Sequence, residues 1–75
     1  MTEAASPRII EFQVNGEILR RHAGTSLADL VTDLGFEPRQ VAVERNCEVV
    51  PRARLGGTGI ETGDRIEIVS FVGGG

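Results

Sequence analysis

An α+β domain in two layers, with one main helix packed on a mixed sheet of four to five strands, is the fold class the sequence predicts. Three observations predict it. An alternating segment turns at Asn15-Gly16 and comes straight back, a single amphipathic stretch spans 27–34, and a strand-like segment at 65–71 follows a run of loop residues. A lone helix can cover only one face of a sheet, which makes two layers.

Residues 1–7 read as a short disordered N-terminal extension, small and polar and ending at Pro7. From Arg8 the segment RIIEFQV sets Ile10, Phe12 and Val14 against Glu11 and Gln13, the period-two pattern of a half-buried strand. Asn15-Gly16 follows, and a type I′ turn needs positive φ at both central residues, which asparagine and glycine tolerate. EILRRH then returns as the second strand. A two-residue loop places Leu19 opposite Phe12, a core pair, and Glu17 opposite Val14, a mild mismatch at the hairpin mouth.

The helix is predicted over AGTSLADLVTDLG, where Leu27, Leu30, Val31 and Leu34 make one apolar stripe of 3.6 period. Ser26 caps its start with Asp29 three residues on as a capping-box partner. Gly35 ends it at C′ and Pro38 forbids continuation. QVAVER forms a third strand on Val41 and Val43, Asn46-Cys47 a tight turn, and EVVP a short fourth strand stopped by Pro51. RARLGGTGI, residues 52–60, reads as a loop anchored to the core by Leu55 and Ile60. ETGD is a further turn and RIEIVSF the last strand, with Ile66 and Ile68 inward and Glu67, Val69 and Phe71 outward. A right-handed crossover through the helix brings a further strand parallel to the first pair. Hairpin, helix, strand, short strand, loop, strand is the order of the β-grasp, or ubiquitin-like, fold. The domain is expected over 8–71, with 72–75 a flexible C-terminal glycine tail.

Composition narrows the function. Seventy-five residues make one small domain, which buries only about 60% of the surface its unfolded chain exposes. The net charge of −3 offers no electrostatic footprint for nucleic acid or an anionic membrane. No apolar run approaches a membrane span, MTEAASPR lacks the apolar core of a signal peptide, and the single Cys47 makes no internal disulfide. The cytoplasm is the expected location. All eight basic residues are arginine. No nucleophile, base and orienter stand in a recognisable pattern, so no catalytic residue and no enzyme activity of its own are expected. His22 has no second ligand near it, so no metal site is expected, and no cofactor either. GGTG at 56–59 lacks the lysine and the strand-to-helix setting of a phosphate loop. Glu44, Glu48, Glu61 and Asp64 read as acids of solvated turns, and Cys47 as an incidental turn residue.

The sequence closes on FVGGG. Glycine averages roughly 7% of residues, so three together ask for a cause: a frayed end, a remnant of cloning, or a terminal carboxylate that is itself the working group. VNGE in the first hairpin, TSLADLV opening the helix, VAVERNCEVVPR in the middle and GDRIEIVSFVGGG at the end together resemble the ThiS family, the sulfur carrier proteins of thiamine biosynthesis. The resemblance runs from about Ile9 to Gly75. Two departures are visible: Cys47 stands where the family often has a small residue such as glycine, and residues 1–8 extend the usual short start.

The resemblance implies a carrier whose Gly75 carboxylate is adenylated with ATP by an E1-like enzyme and converted to a thiocarboxylate. Sulfur would come ultimately from cysteine through a cysteine desulfurase, and thiazole synthase would receive it. The residue chemistry agrees. A carboxylate is a poor electrophile and needs an activated acyl form, and Gly75 presents a carbonyl with no Cβ beside it. Gly73 and Gly74 let a narrow thread of backbone enter a partner's channel, where their N–H and C=O groups can bond its walls. Ordering such a thread costs entropy, so a docking surface must supply affinity. Val69, Phe71 and Val72 are the candidate apolar patch; the bland alternative folds Phe71 over a core edge. Three rival functions remain at this stage: a carrier for molybdopterin or another thiocarboxylate pathway, a ubiquitin-like modifier, and a non-covalent interaction module. The absence of lysine excludes lysine-linked chains built on this protein but not single attachment to others.

Overall fold

The computed structural model describes residues 8–71. The expected lead-in at 1–7 and the tail residues Val72, Gly73, Gly74 and Gly75 lie outside them. Five strands and one α-helix follow in the order β1 (Ile9–Val14), β2 (Glu17–His22), α1 (Leu27–Asp33), β3 (Val41–Arg45), β4 (Glu48–Val50) and β5 (Arg65–Ser70). The sheet order is β2-β1-β5-β3-β4. Its pairs are antiparallel except β1 with β5, which run parallel. The strand that reaches Ser70 therefore lies at the centre of the sheet, between the two hairpins.

The period-two pattern of β1 sends Ile10, Phe12 and Val14 into the core, and β5 sends Ile66 and Ile68 to the same side. Val41 and Val43 join them from β3. Leu27, Leu30 and Val31 of α1 are fully buried against this layer, with Leu55 and Ile60 filling the space beyond the helix. Phe12 pairs with Leu19 and Val14 with Glu17, the register expected of a two-residue turn.

Helix α1 is short, and its start is specified by side chains. Ser26 Oγ accepts from the Asp29 N–H and Asp29 Oδ2 accepts from the Ser26 N–H, a closed capping box. Gly35 ends it at φ +90°, a conformation that opposes any side chain.

Two 3-10 turns complete the chain, Pro38–Gln40 and Arg52–Gly57, and the latter departs from the loop read from the sequence over 52–60. The second carries Leu55 into the core at 3% exposure, so a single apolar anchor with flanking turns closes a helical loop. Asp64 also departs. It was expected in solvent, yet it is buried at 7% exposure, because it holds Arg45 and Asn46 at the end of β3 and the Glu61 N–H of its own turn.

Candidate functional site

The candidate site is the end of β5 and the sheet face around it, and asparagines in two hairpin turns fix this strand on both sides. Asn15 has φ +50° and Asn46 φ +53°, left-handed values that asparagine tolerates. Asn15 donates its backbone N–H to the Ile66 carbonyl at 2.9 Å. Its side chain accepts from the Ile68 N–H at 2.8 Å and donates to the Ile68 carbonyl at 3.2 Å. The amide side chain thus continues the parallel ladder where β1 has already turned away. On the other side the Asn46 N–H meets the Arg65 carbonyl at 2.7 Å, and Asn46 Oδ1 accepts from the Arg65 N–H at 2.9 Å.

Asp64 braces the start of the strand. Its Oδ2 accepts from Arg45 Nε at 2.7 Å and from the Glu61 N–H at 2.8 Å, and its Oδ1 accepts from Asn46 Nδ2 at 3.0 Å. Burial pushes the Asp64 carboxyl up, but the hydrogen bonds from Arg45, Glu61 and Asn46 outweigh it and hold the group below the ordinary carboxylate value. The Arg45 guanidinium is correspondingly held more firmly protonated, chiefly by its hydrogen bond to Asp64.

Beyond this brace the strand presents apolar groups to water. Val69 is 57% exposed and Phe71 55%, so Phe71 does not fold over a core edge. The Phe71 N–H donates to the Gln40 carbonyl at 2.7 Å, which holds the backbone firmly up to the last described residue. Register adds residues that sequence reading did not group with them. Ala42 lies opposite Val69, Glu44 opposite Glu67, and Val49 opposite Glu44. Val49 is 67% exposed. These neighbours become visible only once β3 is known to pair with β5, which no local pattern states.

The remaining candidates stay apart. Cys47 is an exposed free thiol in the β3–β4 turn, and His22 ends β2 on the far edge of the sheet. Among the described residues no three His, Cys, Asp or Glu side chains are placed to hold a metal ion, and no helix is long and apolar enough to cross a membrane.

A five-stranded mixed sheet on one helix, with its central strand leading from a braced start to an exposed apolar end, defines a β-grasp domain of the ubiquitin-like kind. Comparison makes the assignment particular. The ThiS family model matches residues 13–75, and the chain belongs to the ThiS family. The crystal structure of the thiamine biosynthesis protein (ThiS) from Geobacter metallireducens superposes with a TM-score of 0.71 at 29% identity, covering 88% of this chain and 100% of that one. A thiazole synthase of Magnetococcus marinus is 46% identical over 66 residues, 88% of this chain and 20% of that protein. A thiazole synthase of Paramagnetospirillum magneticum is 42% identical over 62 residues, 83% of this chain and 19% of that protein. This chain therefore spans about a fifth of the length of those two relatives. The uncharacterised protein ycf40 of Porphyra purpurea is 35% identical, over 88% of this chain and 93% of its own length.

Proposed function

We propose that this domain is a sulfur carrier of thiamine biosynthesis, a substrate of enzymes and not itself a catalyst. The observation that carries the reading is the family match, which runs from β1 through the glycines to Gly75. On this reading the Gly75 carboxylate attacks the α-phosphorus of ATP on an E1-like enzyme, forming an acyl-adenylate and releasing pyrophosphate. A donor at the oxidation level of sulfide then attacks the carbonyl. The carbon–oxygen bond to AMP breaks, AMP leaves, and a thiocarboxylate remains. Its sulfur is anionic and soft, a better nucleophile than the oxygen it replaces.

The division of the molecule supports this chemistry. Backbone hydrogen bonds hold the chain through Phe71, while residues 72–75 carry only one side chain larger than hydrogen, that of Val72. Val69 and Phe71 supply apolar area beside the reacting end, where Val72, Gly73 and Gly74 enter the partner. Two proteins named thiazole synthase contain, within a fifth of their length, a segment similar to most of this chain. That kinship supports thiazole synthase as the acceptor of the sulfur. The E1-like enzyme, and a cysteine desulfurase behind it, are the partners that membership of the family implies for activation and sulfur supply. A cytoplasmic setting, with ATP at hand, fits the exposed and unpaired Cys47.

Intact mass after incubation with the adenylating enzyme, ATP and a sulfur source tests the proposal. The expected result is an ATP-dependent gain equal to sulfur replacing oxygen. Oxidation of Met1 or Cys47 adds nearly the same mass, so fragmentation must place the gain on Gly75. No gain, with an enzyme proven active on its own carrier, overturns the reading.

A further inference from the structure

We infer that Asn15 is a positioning residue for the reacting end of the carrier: its side-chain amide stands where the next residue of β1 would pair with β5, and so sets the course on which the strand delivers Phe71, the residue from which the tail starts. The inference rests on the carrier reading above and adds a residue to it. Strand β1 pairs with β5 only at Gln13 with Arg65 and Val14 with Ile66. It then turns at Asn15-Gly16 into β2, while β5 runs on to Ser70. On that side the Asp64 and Ile66 carbonyls accept from the Gln13 and Asn15 N–H groups, and Ile68 is the next residue to face the hairpin. No residue of β1 remains there to meet it. The Asn15 amide does, accepting from the Ile68 N–H at 2.8 Å and donating to the Ile68 carbonyl at 3.2 Å. Among the described residues it is the last group of the first hairpin bonded to β5.

The turn itself does not ask for this amide. Its first central position needs a positive φ, +50° here, and glycine supplies that more readily than asparagine. What asparagine adds is a donor and an acceptor side by side, the pattern of a peptide group, so a side chain completes the ladder as a backbone rung would. The opposite edge of β5 is held by β3 as far as Val41 with Ser70, and by the Gln40 carbonyl, which accepts from the Phe71 N–H. With Asn15 the strand is held from both sides up to Ile68. Without it, the end of β5 beyond Ile66 is bound on the β3 side alone, and strands paired in a ribbon twist more than strands inside a sheet. Val69 and Phe71, both more than half exposed, would then be presented along more than one course. An enzyme that binds one of these arrangements meets a smaller competent fraction, and its apparent affinity falls by that fraction. The glycines still adapt to the channel once the carrier is seated, so the chemical step keeps its rate.

The test uses the full chain with the adenylating enzyme and ATP, following pyrophosphate release as the carrier concentration varies, at a temperature where every variant is folded. Asn15→Gly keeps the turn and loses both bonds, while Asn15→Asp keeps the acceptor for the Ile68 N–H. Ser26→Ala removes the helix cap, touches no hydrogen bond of β5 and supplies a comparable loss of stability. Asn15→Gly is expected to raise KM about threefold to fivefold at unchanged kcat. Asn15→Asp should raise it less and Ser26→Ala not at all, with KM across the series following the amide exchange rate of Ile68. Unchanged KM in Asn15→Gly, where the wild type still gains sulfur at Gly75, overturns the inference and leaves the carrier reading standing. An equal rise in Ser26→Ala shows lost stability alone, and a full rise in Asn15→Asp with Ile68 still protected makes Asn15 a direct enzyme contact; either result overturns the inference. Absence of the sulfur gain in the wild type overturns the carrier reading and the inference with it.

Discussion

Asp64 shows how one residue can hold a strand that many residues use. It is buried, accepts three hydrogen bonds and fixes Arg45, Asn46 and Glu61 around the start of β5. Its folded pKa lies below its ordinary 3.8, so it is ionised in the fold where the unfolded chain would begin to take up a proton. Its contribution is therefore present above about pH 3.8 and lost as the pH falls through the lower folded value. Asp64→Asn is expected to cost roughly 2 kcal/mol near neutral pH. That is below the range for a fully buried pair, because the Arg45 side chain keeps 30% of its surface in water. Denaturant unfolding as a function of pH checks it, and the gap between wild type and variant should close in acid. Cys47 gives a prediction of opposite sign. It holds φ +72° at the second central position of the Asn46-Cys47 turn, where a Cβ is strained and glycine is not. Cys47→Gly should stabilise the domain by about 0.5–1 kcal/mol in the same assay. No gain would mean that the thiol side chain makes a compensating contact.

At the scale of elements, hairpin turns do more than reverse the chain. Turn preferences alone predict that Asn15→Gly is harmless, since glycine adopts the left-handed conformation more readily. The structure predicts otherwise, because the Asn15 side chain serves both the N–H and the carbonyl of Ile68. Asn15→Gly should cost about 1–2 kcal/mol, with faster amide exchange at Ile68 while the rest of the sheet stays protected. A neutral variant would show that water replaces the amide without loss. The same contrast explains what was legible beforehand. The stripe Leu27, Leu30 and Val31, the capping box at Ser26 and the alternation of β1 are local patterns, and local sequence contains them. The place of β5 between β1 and β3 is not local. It depends on a crossover and on ladders completed by asparagine side chains 53 and 19 residues away in the chain. The Asp64 brace spans 18 and 19 residues and was invisible for the same reason. Of the candidate site, the exposed end of β5 was readable from the alternation of Ile66 and Ile68 with Val69 and Phe71. Ala42, Glu44 and Val49 were not, because only strand register brings them beside it.

For the whole molecule, the carrier reading separates holding from reacting, and this separation predicts how mutant kinetics divide. Residues 8–71 are tied into one sheet and one core. On the carrier reading, the atoms that change are all in the last residue. A change on the docking face then alters how often a productive complex forms, without altering the carbonyl once it is in place. Val69→Asp puts a charge where an apolar contact is expected, at a position already 57% exposed, so the fold should lose little. It is expected to raise the KM of the adenylating enzyme for this carrier by about tenfold, or 1.4 kcal/mol, with kcat nearly unchanged. Removing Gly75 should do the reverse: abolish sulfur loading, leave the thermal midpoint where it was, and give a protein that still competes with the wild type for the enzyme. Steady-state kinetics with intact-mass detection resolve the two. A Val69→Asp variant that lowers kcat at unchanged KM would place this face in the chemistry, not in the docking, and the division between rigid domain and reactive end would have to be abandoned.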